Sequence, residues 1–107
     1  MEVAQITALG LKQKLDNQDV LFLLDVREPF EFKFAQIAGS ISIPLNQLPE
    51  RLGELDKDSE IVVICHHGMR SLQAANFLVQ YGFENITNLM GGIDAWSIQC
   101  DSAVPRY

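Results

Sequence analysis

The chain has 107 residues, of which 48% are hydrophobic, and its formal net charge at pH 7 is −6. This length suits a single domain over residues 1–107 with one hydrophobic core, and the apolar fraction is too high for a disordered chain. The acidic balance excludes nucleic acid and anionic membranes as expected partners, because both bind basic surfaces. The longest apolar runs are as short as single strands, so no membrane-spanning segment is expected.

The N-terminus and the cysteine content bear on the compartment in which the protein works. Residues 1–5 lack the basic and apolar regions of a signal peptide, so we expect a cytoplasmic location. Cys65 and Cys100 are too few for a disulfide framework, and a reducing compartment suits both as free thiols.

Helices and strands alternate in the predicted secondary structure. Thr7 is a candidate N-cap for the first helix, and Pro29 suits the first turn of the second helix. Leucines recur every three or four residues between positions 45 and 55, which predicts a helix there despite Pro49 and Gly53. In chain order we predict helix 8–16, strand 20–26, helix 28–35, strand 41–43, helix 45–55, strand 61–64, helix 72–81, strand 86–89, helix 93–98 and an extended tail over residues 99–107.

This alternation predicts an α/β fold with a mostly parallel central sheet flanked by helices on both faces. Ligands of such sheets bind beyond the carboxyl ends of the strands. Cys65 directly follows one predicted strand, and Asp25 lies near the end of another. We therefore expect the functional site to lie at this edge of the sheet.

A short loop with a glycine joins the strand before Cys65 to the next predicted helix. Loop N–H groups and the positive end of the helix dipole favour negative charge on the Cys65 sulfur. Arg70 adds a permanent positive charge, and Gly68 allows a tight turn. This order of residues favours a nucleophilic thiolate over a buried structural cysteine. The candidate site is the run Cys65-His66-His67-Gly68-Met69-Arg70-Ser71.

Two roles are open for His66 and His67. They act either as a proton source or pH-sensitive anion site, or they are partly exposed loop side chains without a chemical role. Adjacent side chains rarely converge on one ion, and the chain lacks a spaced second pair of ligands. We therefore predict no metal site and no cofactor.

Other polar residues are interpreted as supporting the site. Asp25 and Arg27 follow an apolar strand, so a buried ion pair or a brace for the loop is favoured over contact with substrate. Glu31 is interpreted in the same way. No C-x-x-C spacing links Cys100 to Cys65, so Cys100 is interpreted as a tail cysteine rather than as a resolving thiol.

Four blocks of the sequence follow one another across nearly the whole chain. They are D-V-R-E-P-F-E-F at residues 25–32, I-A-G-S-I-S-I-P at 37–44, C-x-x-G-x-R-S at 65–71 and G-G-I-D-A-W at 91–96. Together they resemble the single-domain rhodaneses, a family of sulfurtransferases. The resemblance extends weakly to residues 105–107, which are similar to the end of rhodanese domains attached to E1-like enzymes.

The resemblance implies a mechanism in which the Cys65 thiolate takes a sulfane sulfur from a donor and becomes a persulfide. It also implies the partners: a small anionic sulfur donor or a protein persulfide donor, and a thiol or sulfur-carrier acceptor. Many members that use thiosulfate carry more basic residues in the loop, where this chain has His66, His67 and Met69. We therefore expect weak turnover of thiosulfate.

Two alternatives to a sulfurtransferase remain open from the residues. Phosphatases of the related fold resemble C-x-x-x-x-x-R, whereas only four residues separate Cys65 from Arg70 here. The shorter loop suits a sulfur atom better than a phosphate group. A non-catalytic binding or sulfur-carrier module is the other alternative, although a binding role usually accompanies loss of the cysteine.

Overall fold

The computed structural model describes residues 3–107. Five strands form a parallel sheet in the order β1-β5-β4-β2-β3. The strands are β1 Ala4–Ile6, β2 Phe22–Asp25, β3 Ile41–Ser42, β4 Ile61–Ile64 and β5 Ile86–Leu89. The helices are α1 Ala8–Asp16, α2 Pro29–Phe34, α3 Met69–Gln80 and α4 Gly92–Gln99. Two short 3-10 helices, Leu45–Glu50 and Leu52–Glu54, lie between β3 and β4.

The central strand β4 is buried on both faces because its side chains alternate between two apolar clusters. Val63 belongs to the cluster that contains Leu78 of α3. Val62 belongs to the opposite cluster, which contains Leu11 of α1 and Ile93 of α4. The predicted α/β fold, with a parallel sheet covered by helices on both faces, is confirmed.

Three features of the structure differ clearly from the prediction. The edge strand β1 was not predicted, because three residues with two exposed side chains carry no clear alternation. The helix predicted over residues 45–55 is instead the two 3-10 helices, in which Pro49 lacks the N–H that an α-helix needs. Helix α3 begins at Met69 rather than at Leu72, after Gly68 with a φ of +104°.

The tail predicted to be extended folds back on the molecule instead. The backbone N–H groups of Cys100 and Asp101 both donate to the carbonyl of Trp96, and a turn follows. Val104 is buried in the cluster on the α1 and α4 side of the sheet. This path brings Tyr107 to the carboxyl edge of the sheet, beside the loop that follows β4. Among residues 3–107, no helix has both the length and the apolar character to span a membrane.

Candidate active site

Cys65 directly follows β4 at the carboxyl edge of the sheet, and only 1% of the residue is exposed. Its Sγ accepts a hydrogen bond from the backbone N–H of Gly68 at 3.0 Å. Gly68 is the N-cap of α3 and adopts a left-handed conformation that strains any residue with a Cβ. The sulfur therefore lies at the positive end of a twelve-residue helix, with an amide directed at it.

The N-terminus of α4 holds the loop from the other side. The N–H of Ile93 donates to the carbonyl of Cys65 at 2.8 Å, and the N–H of Asp94 donates to the carbonyl of His66 at 3.1 Å. A trans peptide directs its C=O and N–H to opposite sides, so the N–H groups of His66 and His67 point away from α4. A Cβ on Gly92 would lie 2.4 Å from both carbonyl oxygens, so only glycine allows this approach.

Arg70 connects the loop to α2. Its guanidinium donates two hydrogen bonds to the carboxylate of Glu31, at 2.6 and 2.9 Å. These bonds are the main reason that the pKa of Glu31 falls to about 2, against the opposing effect of burial. From the sequence, Arg70 was treated only as a permanent positive charge near the sulfur. In the structure its two terminal nitrogens hold the loop to Glu31.

Asp25 and Arg27 form a buried ion pair at the end of β2, and both side chains are fully buried. Arg27 donates through Nε and Nη2 to the Asp25 carboxylate, at distances of 2.7 to 3.1 Å. The same guanidinium donates to the backbone carbonyls of Glu31, within α2, and of Ala35, its C-cap. The pair therefore fixes α2 against the sheet and lies too deep to contact a substrate.

Tyr107 joins these two ion pairs, although the sequence analysis did not select it as a site residue. Its hydroxyl accepts a hydrogen bond from Arg27 Nη1 at 2.8 Å and donates one to Glu31 Oε2 at 2.8 Å. Its ring stacks on His66, with the centroids 3.9 Å apart and the planes at 7°. The only signal in the sequence was the weak similarity of residues 105–107 to the end of certain rhodanese domains.

His66 lies between Tyr107 and His67, and the rings of the two histidines stack with centroids 3.9 Å apart. Burial, together with the nearby His67, lowers the pKa of His66, so this ring is neutral near pH 7. His67 is exposed, and its Nε2 lies 3.8 Å from the Asp94 carboxylate. Of the two roles left open for these histidines, the stacking of the half-buried His66 ring between Tyr107 and His67 fits a structural role better than proton transfer.

One cluster within residues 3–107 has the donor atoms for a metal ion: His66, His67 and Asp94, with ligand atoms within 4.8 Å of one another. The expectation that adjacent side chains diverge is therefore wrong for these two rings. Asp94, however, is already paired with Arg106 at 2.9 Å, and this pairing lowers the pKa of Asp94. A metal ion would have to displace that arginine from the carboxylate.

The remaining loop residues divide between the surface and the interior. Met69 is 78% exposed, so its side chain lies at the surface. The Ser71 hydroxyl is buried and donates to Asn88 Oδ1 on β5, while Asn88 Nδ2 donates to the carbonyl of Gly68 at 3.3 Å. Ser71 therefore supports Gly68 through Asn88, a residue that no motif had singled out.

The structure agrees with the resemblance to the rhodaneses in three respects: the sheet topology, the cysteine at the end of β4 and the geometry of the loop. The sequence model of the rhodanese-like domain matches residues 7–99. The chain belongs to the rhodanese-like domain family.

Individual relatives cover most of the chain. A sulfurtransferase of Allochromatium vinosum is 40% identical over 96 residues, which are 89% of this chain and 89% of that protein. The thiosulfate sulfurtransferase GlpE of Pseudoalteromonas translucida is 34% identical, over 99% of this chain and 100% of that protein. The crystal structure of a rhodanese-related protein from Thermoplasma volcanium superimposes with a TM-score of 0.82 at 41% identity, covering 91% of this chain and 93% of that one.

Proposed function

We propose that this protein is a sulfurtransferase that carries a sulfane sulfur on Cys65. The observation that carries the proposal is the hydrogen bond from the Gly68 N–H to Cys65 Sγ at the N-terminus of α3. An amide directed at the sulfur and the positive helix end both favour negative charge on it, as a nucleophile and a bound persulfide require. Relatives named sulfurtransferases support the same activity.

The transfer proceeds in two displacements at sulfur. The Cys65 thiolate attacks the outer sulfur of the donor, a new S–S bond forms, and the donor's S–S bond breaks. The donor fragment leaves with that electron pair, as sulfite from thiosulfate or as a thiolate from a persulfide. An acceptor thiolate then attacks the outer sulfur of the Cys65 persulfide and releases the Cys65 thiolate. No net oxidation occurs, so the proposed reaction needs no cofactor.

Charge pairing around the loop favours a persulfide donor over thiosulfate. Three arginines contact the site residues, and each is already paired with a carboxylate: Arg27 with Asp25, Arg70 with Glu31 and Arg106 with Asp94. A dianion such as thiosulfate therefore gains little from them. We propose that the donor is a protein persulfide or a low-molecular-weight persulfide, and that the acceptor is a thiol or a sulfur-carrier protein.

Mass spectrometry after donor treatment tests the proposal. We expect glutathione persulfide to add about 32 Da, one sulfur atom, to Cys65, and we expect dithiothreitol to remove it. The Cys65→Ser variant is the matched control and should gain no sulfur at that position. Wild-type protein that stays unmodified, or that hydrolyses a small aryl phosphate efficiently, would contradict the proposal. The first result would favour a non-catalytic module and the second a phosphatase.

A further inference from the structure

Tyr107 lies 80 residues from Arg27 in sequence, yet its side chain links the charged groups that surround the Cys65 loop. Its hydroxyl joins the buried pair Asp25–Arg27 to the pair Glu31–Arg70. Arg27 Nη1 also donates to the backbone carbonyl of Glu31, but only Tyr107 connects Arg27 to the Glu31 carboxylate. The phenol uses its one donor and an acceptor position, so both neighbours are satisfied. Arg27 is fully buried, and loss of this acceptor would leave one of its N–H groups without a partner.

The ring of Tyr107 makes a second, independent connection to the loop. It stacks almost parallel on His66, the residue after Cys65, and its other neighbour is Phe34 of α2, whose ring meets it edge-on with centroids 5.8 Å apart. The tail that carries Tyr107 is itself anchored, because Val104 is buried and its carbonyl accepts a hydrogen bond from the Ser97 hydroxyl. The phenol is therefore held in place from outside the loop.

We infer that Tyr107 is a positioning residue for the Cys65 loop, acting through His66 on one side and through Glu31 and Arg70 on the other. This inference rests on the proposed function of Cys65. The physical reason is preorganisation: a loop whose amides are already directed at the sulfur loses less free energy when negative charge develops there. Burial raises the pKa of Tyr107, so its hydroxyl keeps the proton that it donates to Glu31 at neutral pH.

Tyr107 contributes both a ring that stacks and a hydroxyl that forms hydrogen bonds, and only the ring is shared by phenylalanine. Phenylalanine would retain the stack on His66 but would neither accept from Arg27 nor donate to Glu31. Tyr107→Phe therefore separates hydrogen bonding from stacking. Tyr81→Phe is the matched control, because Tyr81 at the end of α3 is exposed to a similar extent, 53% against 43%, and packs on Phe77 away from the loop.

The test measures reactivity and loop geometry in the same variants. For Tyr107→Phe we expect formation of the Cys65 persulfide from glutathione persulfide to slow by about tenfold in single-turnover experiments, the size of effect that one such bond allows. In NMR spectra we expect the Gly68 amide resonance to move, because that N–H donates to Sγ. We also expect the titration midpoint of the Glu31 carboxyl to rise from about 2. Tyr81→Phe should match wild type in all three measurements.

Two results would overturn the inference. One is a Tyr107→Phe variant with the wild-type rate and an unmoved Gly68 resonance. Another is a loss of rate that merely follows a loss of folded protein, as measured by circular dichroism, with the Gly68 and Glu31 signals of the folded fraction unchanged. If wild-type protein forms no persulfide, the proposed function fails, and the NMR measurements alone still decide whether Tyr107 positions the loop.

Discussion

The two cysteines of this chain lie at opposite ends of helices, and this difference bears on which thiol is suited to the proposed sulfur transfer. Cys65 precedes α3, where a backbone N–H is directed at its sulfur. Cys100 is the C-cap of α4, where the helix dipole is negative. Burial, more than any nearby charge, raises the pKa of the Cys100 thiol. The comparison shows that the end of the helix, rather than the residue type, decides which sulfur is suited to carry charge.

The largest expected effect comes from removing each sulfur in turn. Cys65→Ser should reduce sulfur transfer to the uncatalysed background, because a hydroxyl at this position cannot carry the sulfane sulfur. Cys100→Ser should retain wild-type transfer, because its thiol lies outside the loop. The steady-state rate of sulfur transfer from thiosulfate to cyanide, measured for both variants, checks the comparison. An active Cys65→Ser protein or an inactive but folded Cys100→Ser protein would break it.

The second prediction removes the close contact that orients the Cys65 loop. Gly92→Ala puts a Cβ within 2.4 Å of the Cys65 and His66 carbonyls at a φ of +59°, so the loop must shift. We expect a loss of about 2–3 kcal/mol in the free energy of unfolding and a clear fall in transfer rate. Denaturant titration measures the first and single-turnover kinetics the second.

Gly53→Ala is the control for this prediction, since a Cβ there meets nothing within 4 Å. We expect this variant to keep the wild-type stability and rate. If the Gly92→Ala and Gly53→Ala variants had the same free energy of unfolding and the same transfer rate, the close approach of α4 would not be what orients the Cys65 loop.

The third prediction uses acid to weaken the ion pair that holds the loop. The pKa of Glu31 is lowered from 4.5 to about 2, so its pairing stabilises the fold above pH 4.5 and this contribution is lost as the pH falls to 2. The loss amounts to about 3 kcal/mol. In Glu31→Gln this part of the pH dependence should disappear, as measured by denaturant titration at several pH values.

Glu54→Gln provides the comparison for acid stability. Glu54 pairs with Arg51 on the surface, where an ion pair contributes little. Its pH dependence of stability should resemble that of wild type. If both variants changed equally, the buried position of Glu31 would not be the cause.

The smallest expected effect concerns the donor. His67 is exposed on the loop, so His67→Arg adds a cation without replacing the half-buried ring of His66. We expect the KM for thiosulfate to fall several-fold and the gain to shrink at high salt. Gln13→Arg, at an exposed position on α1, adds the same charge outside the loop; it is the control for net charge and should leave the KM unchanged. If low concentrations of thiosulfate already saturate the wild-type protein, the loop amides are sufficient to bind this donor and the prediction is wrong.

The alternation of strands and helices, the sheet type and the cysteine loop were all predictable from the sequence, because each depends on local patterns. Residues 61–64 are apolar and β-branched, which predicts the buried strand β4, and the C-x-x-G-x-R-S block directly follows it. The fold class and the place of Cys65 at the carboxyl edge of the sheet follow from these two features.

Only the tertiary structure decided what surrounds the sulfur. The partner of Arg70 is Glu31, 39 residues away, and the phenol between the two ion pairs comes from Tyr107 at the end of the chain. The close approach of Gly92 to Cys65 likewise depends on how α4 packs against the loop. Periodicity and short motifs describe neighbours in sequence, whereas these contacts arise when the sheet brings distant segments to one edge.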